Sequence, residues 1–163
     1  MAVTFDLNGS PLTIEDEPQA RLIDVLRDRL RLTAAKIGCD IGRCGACLVL
    51  IDGQPANACL LRLYQLHGRS ITTPEGLSAL PEGRAIQSAF IAEVAFQCGY
   101  CAPGMTIAAT ALLLENPMPD EASIRESLAG NLCRCSGYLA IIRAVQRAPA
   151  LLRTQVGGTS NPG

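Results

Sequence analysis

The sequence from Lys36 to Cys47 reads KIGCDIGRCGAC. It contains Cys39, Cys44 and Cys47, and a fourth cysteine, Cys59, follows after eleven further residues. Three thiols on one short loop are placed to bind a single compact group, so the backbone has to wrap around that group. The glycines of this loop allow the positive φ angles and close approach that such wrapping needs. The pattern therefore indicates a cysteine-bound metal group.

The spacing of these cysteines identifies the kind of metal group. C-x4-C-x2-C followed by a distant cysteine is typical of plant-type 2Fe–2S ferredoxins. A four-thiolate zinc site is the alternative, but zinc sites usually combine two short C-x2-4-C pairs. Disulfides are disfavoured, because the chain shows no export signal and cytosolic thiols stay reduced. We expect one 2Fe–2S cluster, bound by Cys39, Cys44, Cys47 and Cys59.

Four more cysteines form two close pairs in the second half of the chain. Two residues separate Cys98 from Cys101, and one residue separates Cys133 from Cys135. Each pair lies at a junction between predicted helices, so helix ends can present four thiolates to one site. On its residues alone this set suits either a second iron–sulfur cluster or zinc. A redox-active disulfide is disfavoured, because no βαβ pattern surrounds the first pair.

The first half of the chain has the periodicity of a small sheet with one helix. Apolar and polar residues alternate on both sides of Asn8-Gly9, which predicts a hairpin. The spacing of apolar residues predicts an amphipathic helix from about Ala20 to Leu32. Leu48 to Ile51 reads as a buried strand, and residues 70–73 as a last short strand.

From Pro74 onward the pattern becomes helical. We predict helices at about residues 84–95, 103–115, 121–128 and 138–152, separated by proline- and glycine-containing breaks. The chain is thus predicted to be α+β. A strand-rich domain is expected at residues 1–76, a helical domain at 77–155 and a disordered tail at 156–163.

Charge and hydropathy restrict the function classes. The chain has fourteen Lys and Arg residues and fifteen Asp and Glu residues, so its charge is nearly balanced. There is therefore no electrostatic case for binding nucleic acid. No apolar run reaches the roughly 18 residues of a membrane span. The N-terminus lacks the features of an export signal, so we expect a cytoplasmic protein, exported only with a signal-bearing partner. His67 lies far from every cysteine motif, and we expect a surface or turn role for it.

Together the two cysteine sets resemble those of one family. They are similar to the small iron–sulfur subunit of the molybdenum hydroxylases, the family of xanthine dehydrogenase, aldehyde oxidase and aerobic carbon monoxide dehydrogenase. The resembling blocks are residues 36–47, 97–105 (QCGYCAPGM) and 130–138 (GNLCRCSGY). The resemblance spans about Val3 to Val145. It implies an N-terminal β-grasp plant-type ferredoxin domain, a C-terminal all-α four-helix domain, and a second 2Fe–2S cluster bound by Cys98, Cys101, Cys133 and Cys135.

The resemblance also implies an electron path within a heteromeric, duplicated assembly. Substrate would be oxidised at a molybdopterin centre, in bacteria a cytosine dinucleotide form, on a large partner subunit. Electrons would pass through the helical-domain cluster and then the ferredoxin-like cluster. They would leave to a medium FAD-binding subunit or another acceptor. The chain would be the electron-transfer subunit of an oxidoreductase and would have no catalytic residue of its own.

Single residues acquire roles in the same way. The resemblance assigns Gln97 a contact with the pterin, although its position alone indicates an ordinary helix-end side chain. Cys135 is the ligand expected nearest the pterin. Arg134 is either a solvated charge or an offset to cluster charge. The sequence departs from the family pattern at a few positions, none of them a predicted ligand: Ile41, Leu48, Ala102 and Ser136.

The sequence is also compatible with two other functions. A free-standing two-cluster ferredoxin is one, but a mobile carrier needs only the first domain. A zinc-bound interaction module is the other. Iron and acid-labile sulfide at about four each per chain would separate a two-cluster protein from a zinc protein.

Overall fold

A computed structural model describes residues 1–157 of the chain. Its N-terminal part is a five-stranded mixed sheet with the strands in the order β2-β1-β5-β3-β4. Strands β1 and β5 are parallel, and the other neighbouring strands are antiparallel. The strands are β1 (Ala2–Leu7), β2 (Ser10–Glu15), β3 (Leu48–Ile51), β4 (Gln54–Asn57) and β5 (Ser70–Thr72).

Two tight turns build the hairpins of this sheet. Asn8 and Gly9 have φ angles of 54° and 82°, and Asp52 and Gly53 have 49° and 82°. Positive φ at both central residues is the type I′ turn, whose twist matches that of the flanking strands. The predicted first hairpin is confirmed. The sequence pattern does not predict strand β4, because the strand contains Pro55. The sheet tolerates this proline because β4 is an edge strand.

The helix predicted from Ala20 to Leu32 is confirmed only in part. A short α1 (Leu22–Asp24) continues directly into a π-helical segment, Val25–Arg29. The helix cannot continue through Arg31, whose φ of 57° is left-handed. The apolar face nevertheless packs onto the sheet as the periodicity indicates, with fully buried Leu22, Ile23 and Leu26.

The second half is helical near the predicted stretches. No helix among residues 1–157 is long and apolar enough to cross a membrane. The last helix includes residues 156 and 157, so the disordered tail predicted from residue 156 does not begin there, and residues 158–163 lie outside the described part. The helices are α2 (Pro81–Ala92), α3 (Ala102–Glu115), α4 (Glu121–Ser127) and α5 (Leu139–Gly157).

Strand β3 joins the two halves of the molecule. All of its residues are buried, as the apolar run predicts. Leu48 and Leu50 belong to the core that the helices form, whereas Val49 and Ile51 belong to the core between the sheet and α1. Because side chains alternate along a strand, β3 contributes to both cores at once. It begins directly after Cys47, so the first cysteine loop lies at the seam between them.

Candidate iron–sulfur centres

The sheet brings the four cysteines of the first set together. Cys39 and Cys44 lie on the loop before β3 and are partly buried. Cys47 and Cys59 flank the β3–β4 hairpin, and each is only 3% exposed. The amide of Ala58 donates to the carbonyl of Cys47 at 3.2 Å, so hairpin pairing places the fourth cysteine beside the third. The structure thus explains how a cysteine twelve residues after Cys47 joins the loop.

The amides of the first loop point at its sulfurs. Those of Arg43 and Cys44 donate to Cys39 Sγ at 3.1 and 3.3 Å. In return, the amide of Cys39 donates to Cys44 Sγ at 3.3 Å. The amides of Ile41 and Arg43 lower the pKa of Cys39 to about 7, because they stabilise its thiolate. Such a loop suits an anionic metal cluster, because hydrogen bonds to the sulfurs tune the reduction potential of the cluster.

The third and fourth cysteines form a buried pair. Burial raises the pKa of Cys47 to about 12, and the neighbouring thiol of Cys59 adds to the rise. Such a thiol deprotonates at neutral pH only when a cation binds it. The pair is therefore suited to ligating a metal and poorly suited to acting as a free nucleophile.

The second set lies between helices, as predicted. Cys98 and Cys101 lie between α2 and α3, and Cys133 and Cys135 lie between α4 and α5. Cys98 and Cys135 are exposed, with their sulfurs 3.8 Å apart. Burial and the adjacent Cys133 raise the pKa of Cys101 to about 12. The structure thus brings the two distant pairs into one site.

A hydroxyl and a phenol shape the surroundings of Cys133. Burial raises the pKa of Cys133, but hydrogen bonds from the Ser136 hydroxyl at 3.0 Å and amide at 3.3 Å outweigh it. They lower the value to about 7. Tyr138 accepts the amide hydrogen of Cys133 at 2.9 Å and donates its own hydroxyl hydrogen to the carbonyl of Asn131 at 2.9 Å. The second loop is therefore held by its own side chains.

Gln97 lies beside the second set. Its side-chain amide donates to the carbonyl oxygen of Cys135 at 3.1 Å. Because Gln97 directly precedes Cys98, this hydrogen bond ties the two cysteine pairs of the second set together. The side chain is exposed at the surface. A contact with a pterin stays a prediction.

His67 and Arg134 both lie at the surface. His67 is in an exposed turn, where its Nδ1 accepts the amide hydrogen of Thr4 at 3.4 Å, and its predicted surface or turn role is confirmed. Arg134 is exposed between two cysteines and forms no ion pair with any residue in the range 1–157.

The thiols of each set are arranged two by two. The neighbouring pairs are Cys39 with Cys44, Cys47 with Cys59, Cys98 with Cys135, and Cys101 with Cys133. Within the described residues, no three His, Cys, Asp or Glu side chains lie close enough to hold a single metal ion. A 2Fe–2S cluster takes two protein ligands on each of its two irons. Two thiol pairs per set fit that donor requirement.

The two cysteine loops contact each other directly. The amide of Leu132, the residue before a cysteine of the second set, donates to the carbonyl of Cys44 at 2.9 Å. The buried side chain of Asn131 donates to the carbonyl of Gly45 at 3.3 Å. A Cβ at Gly104 would lie 2.1 Å from that same carbonyl oxygen. Only glycine at this position lets the first turn of α3 approach the first loop so closely.

Neither spacing nor periodicity indicates the residues that join the loops. Asn131 reaches a carbonyl 86 residues away, and the hydroxyl of Tyr100 donates to the carbonyl of Ile37, 63 residues away, at 2.6 Å. Their one signal in the sequence is their place inside the cysteine-containing blocks. What each of them contacts depends on how the halves pack.

Comparison with known proteins agrees with these two sites. Residues 5–69 match the family described as 2Fe-2S iron-sulfur cluster binding domain, and residues 73–146 match the [2Fe-2S] binding domain family. The chain is 51% identical to a probable xanthine dehydrogenase subunit of Bacillus subtilis, over 86% of this chain and 81% of that protein. It is 41% identical to the nicotinate dehydrogenase small FeS subunit of Eubacterium barkeri, over 91% of this chain and 94% of that protein.

Solved structures show the same likeness. Quinoline 2-oxidoreductase from Pseudomonas putida aligns over 98% of both chains with a TM-score of 0.86 and 42% identity. Aldehyde oxidoreductase from Desulfovibrio desulfuricans aligns with a TM-score of 0.87 and 38% identity, over 94% of this chain and 17% of that longer one. The chain belongs to the small 2Fe–2S subunits of the molybdenum hydroxylases and is a subunit of a molybdenum-dependent oxidoreductase.

Proposed function

We propose that the chain carries two 2Fe–2S clusters and passes electrons between a molybdopterin centre on a large partner subunit and an acceptor. The first cluster would be bound within a ferredoxin-like domain at residues 1–76, and the second within a four-helix domain at residues 77–155. Two separate matches to 2Fe–2S families support two clusters. The proposed ligands are Cys39, Cys44, Cys47 and Cys59 for the first cluster, and Cys98, Cys101, Cys133 and Cys135 for the second.

One contact carries this proposal: the hydrogen bond of 2.9 Å from the amide of Leu132 to the carbonyl of Cys44. A ligand of one cluster and the residue before a ligand of the other are thereby joined without an intervening side chain. Each bound cluster accepts and releases one electron at a time. Loops held in direct contact keep the two clusters close, which electron transfer requires.

The outer face of the second site suits the large subunit. Cys98 and Cys135 are exposed, and Gln97 lies beside them at the surface. Val94 and Phe96, a few residues earlier, are 72% and 37% exposed. Exposed apolar side chains around a site often mark a protein interface. We propose that the large subunit covers this face and that Gln97 contacts its pterin there, with Cys135 the nearest ligand.

The face of the first site suits an electron acceptor. Ile41, on the first cysteine loop, is 61% exposed, and Leu60, directly after Cys59, is 55% exposed. These apolar side chains lie on the ferredoxin-like half. We propose that a medium FAD-binding subunit, or another acceptor, docks here in a duplicated assembly. Substrate chemistry would belong to the partner's cofactor, a cytosine dinucleotide form of molybdopterin, and we expect this chain to supply no catalytic residue.

The cluster content is tested on the purified complex. We expect iron and acid-labile sulfide at about four each per copy of this chain, and two distinct electron paramagnetic resonance signals after dithionite reduction. Zinc in place of iron would overturn the proposal. Purification of the chain alone, folded and with both clusters, would instead favour a free-standing ferredoxin.

Two ligand variants test the path, and each is the control for the other. Cys44→Ser is expected to remove only the first cluster's signal and Cys101→Ser only the second's. Both variants should stop turnover with the acceptor, while the substrate still reduces the molybdenum centre. Xanthine, nicotinate and an aldehyde serve as trial substrates, because the relatives are named after them. Unchanged turnover in Cys101→Ser would show that electrons bypass the second cluster.

A further inference from the structure

The main chain of Arg21 is attached to the segment that carries Cys59. Arg21 forms an isolated antiparallel bridge with Arg62, which lies three residues after that cysteine. The amide of Leu22 donates to the carbonyl of Leu61 at 2.9 Å. The start of α1 is thereby hydrogen-bonded to the chain that leaves the fourth cysteine of the first set.

The side chain of Arg21 is attached to the other part of the same site. Its Nη1 donates to Oδ2 of Asp40 at 2.6 Å, and Asp40 directly follows Cys39. Its Nε and Nη2 donate to both oxygens of Asp24, at 2.7 and 2.8 Å. Three hydrogen bonds to two carboxylates hold the planar guanidinium in one orientation. One residue thus links the three-cysteine loop to the segment of Cys59.

Asp40 occupies an unfavourable position that Arg21 helps to maintain. Its φ of 59° is left-handed, which is uncommon for a residue other than glycine. Its second carboxylate oxygen, Oδ1, is buried without a hydrogen-bond partner. The left-handed turn at Asp40 is followed by the amides of Arg43 and Cys44, which donate to the sulfur of Cys39. Strain of this kind persists only where surrounding contacts hold it.

We propose that Arg21 is a positioning residue for the first cluster, through its ion pair with Asp40. The ion pair fixes the turn that aims the loop amides at Cys39, and it supplies a positive charge beside a carboxylate next to a cluster ligand. Adding an electron to the cluster is easier when that carboxylate is neutralised by its partner. This inference rests on the proposed first cluster, and it concerns how the chain sets the potential of that cluster.

A charge-compensation cycle tests the inference in the purified complex by redox titration followed by electron paramagnetic resonance. Arg21→Gln should lower the midpoint potential of the first cluster, because the carboxylate is left unpaired. Asp40→Asn should raise the potential, and the double variant should lie close to the parent protein. We expect each single change to alter the one-electron equilibrium constant about tenfold, or about 59 mV. The second cluster's potential should not move.

Two further variants separate charge from position. Arg21→Lys keeps the charge but cannot reproduce the three fixed hydrogen bonds, so it should shift the potential less than Arg21→Gln while still broadening the first cluster's signal. Arg69→Gln is the matched control, because Arg69 pairs with Asp52 at the other end of β3, away from the cysteines. It should leave both clusters unchanged.

The outcomes distinguish this inference from the proposed function. An unchanged first-cluster potential in Arg21→Gln and Asp40→Asn would overturn the positioning role and leave the two-cluster proposal intact. Equal iron loss in both single variants, not restored in the double variant, would show a merely structural role and overturn it as well. Absence of the first-cluster signal from the parent protein would instead overturn the proposed function itself.

Discussion

The amide of Leu132 lies 2.9 Å from the carbonyl oxygen of Cys44, and this hydrogen bond joins the two cysteine loops. The contact does not stand alone, because Asn131 donates to the carbonyl of Gly45 beside it. The strand that follows the first loop packs one face on each hydrophobic core. The two halves are therefore fastened at the level of the cysteine sites, and any change that separates them should affect electron transfer as well as stability.

The first prediction concerns the close approach of α3 to the first loop. Gly104→Ala would place a Cβ 2.1 Å from the carbonyl oxygen of Gly45, a backbone atom that cannot rotate away. We expect a net destabilisation of about 1–3 kcal/mol, since overpacking outweighs the helix propensity that alanine gains over glycine. The thermal midpoint, measured at a fixed scan rate, should fall, and so should the rate of electron exchange between the clusters.

Gly130→Ala is the matched control for this change. Gly130 lies next to Asn131, yet a Cβ at this glycine would meet nothing within 4 Å. We expect its thermal midpoint and electron transfer to equal those of the parent protein. A Gly104→Ala protein that behaves like Gly130→Ala would show that the loops have room to separate without consequence.

The second prediction concerns the phenol that holds the second loop. Tyr138→Phe removes the acceptor for the amide of Cys133 and the donor to the carbonyl of Asn131. Because these main-chain groups are left without their partner, we expect a loss of about 1–3 kcal/mol in the free energy of unfolding. Urea denaturation with the clusters in place measures it.

Tyr64→Phe provides the comparison. Tyr64 is half-exposed, and its hydroxyl makes no hydrogen bond to the described part of the chain. We expect a change within experimental error. If Tyr138→Phe were equally silent, water would have to replace the phenol at Cys133, and the loop would owe its conformation to the cluster and not to this side chain.

Local patterns predicted most of the elements because each reports a local physical requirement. The turn at Asn8-Gly9 and the apolar run of β3 are examples, since positive φ and burial on both faces leave their mark on neighbouring residues. The helix predicted from Ala20 to Leu32 ends early, because the backbone of Arg31 is left-handed. The apolar spacing nevertheless continues past this residue. Apolar spacing alone carries no information about that backbone conformation.

The cysteine sites divide along the same line. The spacing of the first set indicates its cluster type, whereas the second set needed the family resemblance to be distinguished from a zinc site. The pairing of Cys98 with Cys135 and of Cys101 with Cys133 depends on how α2 to α5 pack. Contacts made across the fold have no period in the sequence, so only the structure places them.

The third prediction is that Val94→Gly stabilises the folded protein. Val94 has a φ of 49° and is 72% exposed just after α2, where the amide of Ala95 donates to the carbonyl of Phe90 at 2.9 Å. This is the helix-ending motif in which glycine is usual. Val94→Gly relieves about 1–2 kcal/mol of left-handed strain and loses part of that to the greater freedom of the unfolded chain.

The net gain expected for Val94→Gly is therefore about 1 kcal/mol, or a thermal midpoint about 2–4 °C higher. Val94→Ala keeps a Cβ in the left-handed region and should gain less. A lower midpoint for Val94→Gly in the complex would mean that the valine side chain makes contacts worth more than the strain, within this chain or with the large subunit proposed to cover it.

The last prediction concerns the potential of the second cluster. The hydroxyl of Ser136 donates to Cys133 Sγ at 3.0 Å, and the amide of Ser136 donates to the same sulfur at 3.3 Å. Hydrogen bonds to a ligand sulfur favour the reduced, more negative cluster, so Ser136→Ala should lower the midpoint potential of the second cluster only. Ser136→Thr keeps the hydroxyl and should stay close to the parent value.

Because the hydrogen bond from the amide of residue 136 is kept in both variants, the difference between their midpoint potentials isolates the effect of the hydroxyl. If the alanine variant titrates like the threonine variant, the serine hydroxyl turns away from the sulfur once the cluster is bound, and the amide alone sets the local hydrogen bonding.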